Sequence, residues 1–183
     1  MALALIVHGG AGIIPANRHA AARDGCRAAV EVGWRTLLAG GSALDAVQTA
    51  IMALEDNPGF NAGTGAVLTL DGHAELDAGL MDGEEMQVGA VAGVQRVKNP
   101  ILLARAVLAS PHVLLVGAGA ELFATESGLA LCDPEALVTE AQRARWRSGY
   151  KEGDGVGVDP ALGGLDVGAV AVEHVHADDT KHG

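Results

Sequence analysis

Glycine constrains this chain more than any other residue: there are 26 in 183 positions, against two Trp, two Phe and one Tyr. Glycine permits positive φ and close backbone approach but weakens the interiors of helices and strands. Such a chain folds as short elements punctuated by tight turns, around a core of Ala, Val and Leu. With 49% hydrophobic and 19% charged residues it can fill the core of one ordinary domain. The 12 Lys+Arg face 23 Asp+Glu, a net charge of −11. That balance argues against a nucleic-acid partner, because phosphate binding relies on clustered cations. The scarcity of aromatic rings removes stacking platforms as well. Cys26 and Cys132 are too few and too far apart for a disulfide framework or a metal knuckle, which fits a reducing, cytoplasmic setting. No stretch reaches the roughly 18 to 20 apolar residues of a membrane span, and the apolar N-terminus lacks the basic flank of a signal peptide.

The apolar run Ala2–Val7 predicts a buried first strand that ends in His8-Gly9-Gly10-Ala11-Gly12. A helix is expected over Arg18–Leu38, stopped by Gly40-Gly41. A second opens at Ser42, with Asp45 completing a capping-box variant, and stops at Asn57-Pro58-Gly59. From Thr64 to Val94 short β-like runs are broken by Asp71-Gly72 and Asp82-Gly83, the signature of antiparallel hairpins. Asn99-Pro100 supplies an N-cap and a first-turn proline for a short helix through Ala109. His112–Val116 reads as another buried strand and Gly117–Ser127 as a helix. Asp133-Pro134 caps a last helix carrying Arg143, Arg145 and Arg147 in its closing turns, where cations complement the helix dipole. Residues 1–149 thus form the core. Residues 150–183, rich in Gly and Asp, read as a flexible acidic linker.

Four motifs could carry chemistry. The segment Leu54–Gly65 can turn its carbonyl oxygens inward around a hard cation, or serve as a plain connecting turn. His8 before glycines resembles an oxyanion loop, or is a strand-end histidine bonded to backbone; no Gly-x-Ser-x-Gly accompanies it. Gly117-Ala-Gly119-Ala-Glu-Leu122 starts like a dinucleotide fingerprint but has Leu122 in place of the third glycine, which leaves an ordinary strand-to-helix turn. His174-x-His176-x-Asp178-Asp179 resembles a zinc-hydrolase run whose last histidine is missing. A solvated acidic linker explains it better.

Taken in order, His8-Gly-Gly-Ala-Gly12, Ser42-Ala-Leu-Asp-Ala46, Asn61-Ala-Gly-Thr-Gly65, Glu75-Leu-Asp-Ala78, Met81-Asp-Gly83, Val88-Gly-Ala-Val-Ala92 and Asn99-Pro100 resemble the plant-type L-asparaginase/isoaspartyl peptidase family. The likeness spans roughly Leu3 to Ala144. It implies an α+β fold, the αββα sandwich of N-terminal-nucleophile (Ntn) hydrolases, of which this chain would be the α-subunit half. In that family a precursor cuts itself after a glycine, often His-Gly, and before a threonine that begins the β subunit. The ending Lys181-His182-Gly183 suits such a cut, with the bond after Gly183 as the cleavage point.

By the same resemblance, Asn61 lies beside the nucleophile in a supporting role, and His8, Gly9 and Gly10 form a glycine-rich loop near the site. Leu54, Glu55, Asn57, Phe60, Ala62 and Thr64 match a loop whose main-chain oxygens hold a structural Na⁺. No catalytic cofactor is implied. The implied partners are a β subunit from the same precursor, in an (αβ)₂ assembly, and L-asparagine or an isoaspartyl dipeptide as substrate. The segment Asp166-Val-Gly-Ala-Val-Ala171 resembles the usual start of the β subunit with Asp166 where threonine stands; with His-Gly closing the chain, the likeness is fortuitous. The alternative reading is a non-catalytic or unprocessed homologue that binds a small molecule or cation.

Overall fold

The structure, a computed structural model, describes residues 3–10 and 14–149. The 150–183 segment, with His174, His176, Asp166 and Gly183, lies outside the described residues, as do Ala11 and Gly12.

After a 3₁₀ turn at Ala16–Arg18, helix α1 runs over His19–Leu38. It buries Gly25, Ala29, Gly33 and Leu37, four residues apart, as one narrow face of small side chains. Helix α2, Ala43–Glu55, packs against that face. At Gly33 a Cβ would stand 2.8 Å from the Ala46 carbonyl, so only glycine admits this approach. The predicted capping box at the start of α2 is formed: Ser42 Oγ accepts from the Asp45 N–H at 3.2 Å, and Asp45 Oδ2 accepts from the Ser42 N–H at 3.0 Å.

Strands β1 (Leu76–Asp82) and β2 (Gln87–Val94) form the expected antiparallel hairpin across Asp82-Gly83, with Met86 at φ 54° in the turn. The other hairpin signal, Asp71-Gly72, yields only an isolated bridge between Leu68 and Ala74. Helix α3 (Pro100–Leu108) then crosses over to β3 (Leu114–Val116), which pairs parallel to β2 and completes the order β1-β2-β3. Helix α4 follows at Gly117–Glu126.

Two expectations are corrected. No strand forms over the described part of Ala2–Val7, although Val7 packs with Ala29, Leu54 and Phe60 and Leu5 reaches Gly33. An apolar run becomes a strand only with a neighbour to pair with, and here its contacts are to helices. The helix expected from Asp133 is instead two pieces, a 3₁₀ turn at Pro134–Leu137 capped by Asp133 and helix α5 at Glu140–Gly149. Val138 between them is extended, at φ −90° and ψ 120°. The Thr139 hydroxyl then accepts from the Gln142 N–H at 3.3 Å and starts α5 afresh.

The register fixes which side chains share a face of the sheet. Ala78 lies opposite Val91 and Leu80 opposite Gly89, and Leu115 lies beside Val91; this face is covered by α3 and α4. Gly79, Met81, Val88, Ala90, Ala92, Leu114 and Val116 occupy the other face. Except at the β1 end, where the exposed Asp77 accepts from the Gly93 N–H at 2.7 Å, this face too is apolar, yet Met81 is 52% exposed, Leu114 54% and Val116 59%, so β3, expected to be a buried strand, is open on this side.

Helix α3 sits so close to the sheet that a Cβ at Gly89 would overlap the Leu108 nitrogen and the Ala104 carbonyl, backbone atoms that cannot turn aside. Gly89→Ala is therefore expected to destabilise the protein by about 2 to 3 kcal/mol or more, read as a lowered denaturation midpoint.

Candidate functional site

The loop after α2 is folded back on the helix that it leaves. The Glu55 carbonyl accepts from the Thr64 N–H at 2.8 Å, and the Asn57 carbonyl from the Phe60 N–H at 3.0 Å. A Cβ at Gly63 would lie 2.5 Å from the Glu55 oxygen, which explains a glycine at that point. At the far end, the Gly65 N–H donates to the Leu137 carbonyl and its carbonyl accepts from Gln142 Nε2, both at 2.8 Å. The Gly59 carbonyl accepts from Arg18 Nη2 at 2.7 Å. Three separate elements thus hold a loop with no regular structure of its own.

Phe60 joins this loop to the glycine-rich N-terminal segment. A Cβ at Gly9 would meet the ring at 2.9 Å and Cys26 Sγ at 2.6 Å, and one at Gly25 would meet the ring at 2.5 Å. The ring therefore lies against two glycines and closes a small cluster with Ala29 and Leu54. His8 itself is exposed, and its Nδ1 accepts from the Gly10 N–H at 3.3 Å, which is the backbone-bonded alternative expected for it. Gly10, at φ +106°, turns the chain there. The structure thus brings His8–Gly10 and the Leu54–Thr64 loop together through Gly9 and Phe60. Asn61, half-buried, stands between the buried Phe60 and Ala62.

At the root of the loop lies Glu55, 1% exposed and the buried charged residue of the described core. Its Oε1 accepts from the Ile101 N–H at 3.0 Å, and its Oε2 from Asn99 Nδ2 at 3.1 Å. This corrects the expected capping of α3. Asn99 holds the N-cap position, but its side chain makes no cap; its amide donates to Glu55 and Asp56, and the Glu55 carboxyl takes the helix N–H instead. Burial pushes the Glu55 carboxyl up to about 8; the bonds from Ile101 and Asn99 pull it down, and the Asp56 carboxylate adds to the rise. Composition and motif reading missed this side chain. Its position four residues after Ile51, on the apolar face of α2, was the available signal.

Burial raises both thiols, Cys26 and Cys132, so neither is an activated nucleophile at neutral pH. No group of three His, Cys, Asp or Glu side chains that could hold a metal ion occurs among the described residues. Main-chain oxygens are another matter. The Glu55 and Asn57 carbonyls each accept one backbone N–H, at 2.8 and 3.0 Å, and each has a second lone pair, while the Leu54 carbonyl accepts from Asn57 at 3.2 Å and also from Asp56. Such donors fit a hard cation. No described helix is long and apolar enough to cross a membrane.

The profile of a family described as "Asparaginase" matches residues 1–163. A plant-type L-asparaginase of Pyrococcus abyssi is 52% identical over 147 residues, covering 79% of this chain and 47% of the relative. An isoaspartyl peptidase/L-asparaginase of Mus musculus is 41% identical over 175 residues, 94% of this chain and 54% of the relative. One of Xenopus laevis is 44% identical over 170 residues, 92% and 55%. The chain spans about half the length of these curated relatives.

Glu55 gives the stability of the fold a pH signature. Its folded value near 8 lies above the unfolded 4.5, so the native state keeps a proton that the unfolded chain releases. The resulting stability is complete below pH 4.5 and is lost as pH rises towards 8. Melting midpoints across that range should fall with pH in the native protein, and Glu55→Gln should flatten the decline.

Proposed function

Because the chain belongs to the asparaginase family, we propose that it is the α-subunit half of an Ntn amidohydrolase acting on L-asparagine and on isoaspartyl dipeptides. The carrying observation is the sheet that, Asp77 apart, is apolar on its uncovered face as well as on the face that helices cover. Strands of that kind are built to be buried on both sides, and a β subunit from the same precursor would supply the second sheet of an αββα sandwich. Residues 1–149 would be the core, and 150–183 a linker ending at the bond after Gly183, where the precursor cuts itself. An (αβ)₂ assembly in the cytoplasm completes the proposal. The two free thiols suit a reducing compartment.

The nucleophile would be the threonine hydroxyl that begins the β subunit. Its own α-amine, whose ordinary pKa is near ~7.7–8.0, takes the proton. The oxygen attacks the side-chain amide carbon, or the β-linked peptide carbon; the C–N bond breaks, and ammonia or the amine leaves with a proton. Water then hydrolyses the ester and returns the hydroxyl. In this chain Asn61 would contact the reacting centre, an assignment supported by its seat between two buried anchors on a loop held at both ends. His8, Gly9 and Gly10 would line the neighbouring wall. The carbonyls of Leu54, Glu55, Asn57, Phe60, Ala62 and Thr64 would hold Na⁺, a structural ion that stiffens the loop.

Intact mass spectrometry and N-terminal sequencing of the product of the complete gene should find one chain ending at Gly183 and a second beginning with threonine. A single uncut, inactive polypeptide would leave the non-catalytic homologue as the reading. Asn61→Ala should lower turnover or self-cleavage while the melting curve stays cooperative, and unchanged rates would remove Asn61 from the site. For the cation, replacing NaCl by choline chloride at equal ionic strength should lower the melting midpoint, because a ligand that binds only the folded state stabilises it by mass action. Equal midpoints would dispose of the Na⁺ site.

A further inference from the structure

The geometry points to the Glu55 side chain, rather than its carbonyl alone, as a positioning residue that sets the placement of Asn61. The inference rests on the proposed amidohydrolase reading. Three sets of contacts meet at this residue. Its carboxyl caps α3 through the Ile101 N–H and binds the Asn99 amide, at 3.0 and 3.1 Å. Its carbonyl closes the loop through the Thr64 N–H at 2.8 Å. Its Cα and Cβ form the floor against which Gly63 lies, each 2.9 Å from where a Cβ on Gly63 would stand. Asn61 is two residues from Gly63 and three from Thr64, so the loop's height above α2 is fixed where Glu55 is fixed.

The carboxyl ties that point to the rigid part of the molecule. Helix α3 is packed on the sheet at Gly89 through backbone contact, and Ile101, Leu103, Ala104 and Val107 are fully buried. An apolar side chain at position 55 would fill the space but leave the Ile101 N–H without its acceptor, and α2 and α3 would lose the polar joint at the loop end of α2, keeping the Asp45–Arg105 pair, 3.3 Å long, at its far end. The ion pair Lys98–Asp56, 2.8 Å long, spans the same two elements from outside. Both its side chains are about half exposed, so it contributes little. Glu55 is what holds the loop in register with the sheet. Side chains that do not touch substrate matter in this way because a shift of about 1 Å at a reacting centre costs on the order of 100-fold in rate.

The test uses enzyme expressed from the complete gene, with Glu55→Gln, Asn99→Ala and, as an outer control, Lys98→Ala. Rates are taken per folded molecule, and amide hydrogen exchange is followed over peptides covering 56–65 and the interiors of α2 and α3. For Glu55→Gln the expected result is a fall in kcat of about 10- to 100-fold with KM little changed, together with faster exchange confined to 56–65. Asn99→Ala, which removes one donor and leaves the carboxyl, should move both readouts the same way by less, and Lys98→Ala neither. A variant with loosened 56–65 exchange and native kcat would overturn the proposal, as would lost kcat with native exchange. If Glu55→Gln does not fold, Asn99→Ala decides alone by the same two readouts. If the unaltered enzyme is itself uncut and inactive, the amidohydrolase reading fails instead, and the positioning role fails with it.

Discussion

The bond between the Glu55 carboxyl and the first turn of α3 holds together parts of the chain that the sequence keeps more than 40 residues apart. A helix begins with N–H groups that lack partners, and burying them unpaired is costly. Most helices solve this with a residue at their own start, as Ser42 and Asp45 do for α2. Helix α3 begins with Pro100, which lacks an N–H, and its next donor, on the buried Ile101, is satisfied by the Glu55 carboxyl rather than by Asn99 at the helix's own start. The end of α2 must therefore lie at the start of α3. Because the loop carrying Asn61 springs from that end, the position of the candidate site follows from the needs of a helix some 40 residues downstream.

Glycine sets the other distances. At Gly33, Gly63 and Gly89 the neighbour is backbone, and at Gly9 and Gly25 it is the Phe60 ring or the Cys26 sulfur. Each is a place where two segments approach more closely than any side chain allows. A core made this way needs few large residues: among its fully buried members Leu54, Ile101, Leu103 and Leu137 are the largest hydrophobic ones, and among the described residues no aromatic ring is fully buried. The cost is tolerance. At Gly33, Gly63 and Gly89 an added methyl group pushes against main chain, which cannot change rotamer to make room.

Local signals were legible in the sequence. The Ser42–Asp45 box, the Asp82-Gly83 turn and the proline that opens α3 each act within a few residues, and each appears as read. What was not legible depends on partners distant in the chain. Ala2–Val7 has the composition of a strand, but its described residues pack on helices and pair with nothing in the sheet. Asn99 has the type of a capping residue, yet its amide turns to Glu55 and Asp56 because a carboxyl from α2 already occupies the helix end. The break at Val138 was hidden by good helix formers on either side, and only the Thr139 cap betrays it. Of the candidate site, the sequence marked both halves, His8–Gly10 and Leu54–Gly65. It did not reveal that Phe60 joins them, since that contact depends on glycines in α1 and in the N-terminal segment.

The uncovered side of the sheet bears on how the molecule is built. Along β2 the residues Val88, Ala90 and Ala92 alternate with Gly89, Val91 and Gly93, so neither face is polar. A strand that ends its life facing water normally shows alternation of apolar and polar residues, and the exposed row of Met81, Val88, Leu114 and Val116 shows none. These four side chains are already about half buried, so leaving the row open forgoes roughly half of the about 1.5 to 3 kcal/mol that full burial of each would give, together several kcal/mol and a sizeable part of the stability of a domain. The charges within the strands are both in β1, Asp77, which accepts from the Gly93 N–H, and Asp82 at the turn; others of this acidic chain sit on helices and turns, such as Glu84, Glu85, Glu126 and Glu140. A second apolar layer, rather than solvent, is the surface to which this face is complementary.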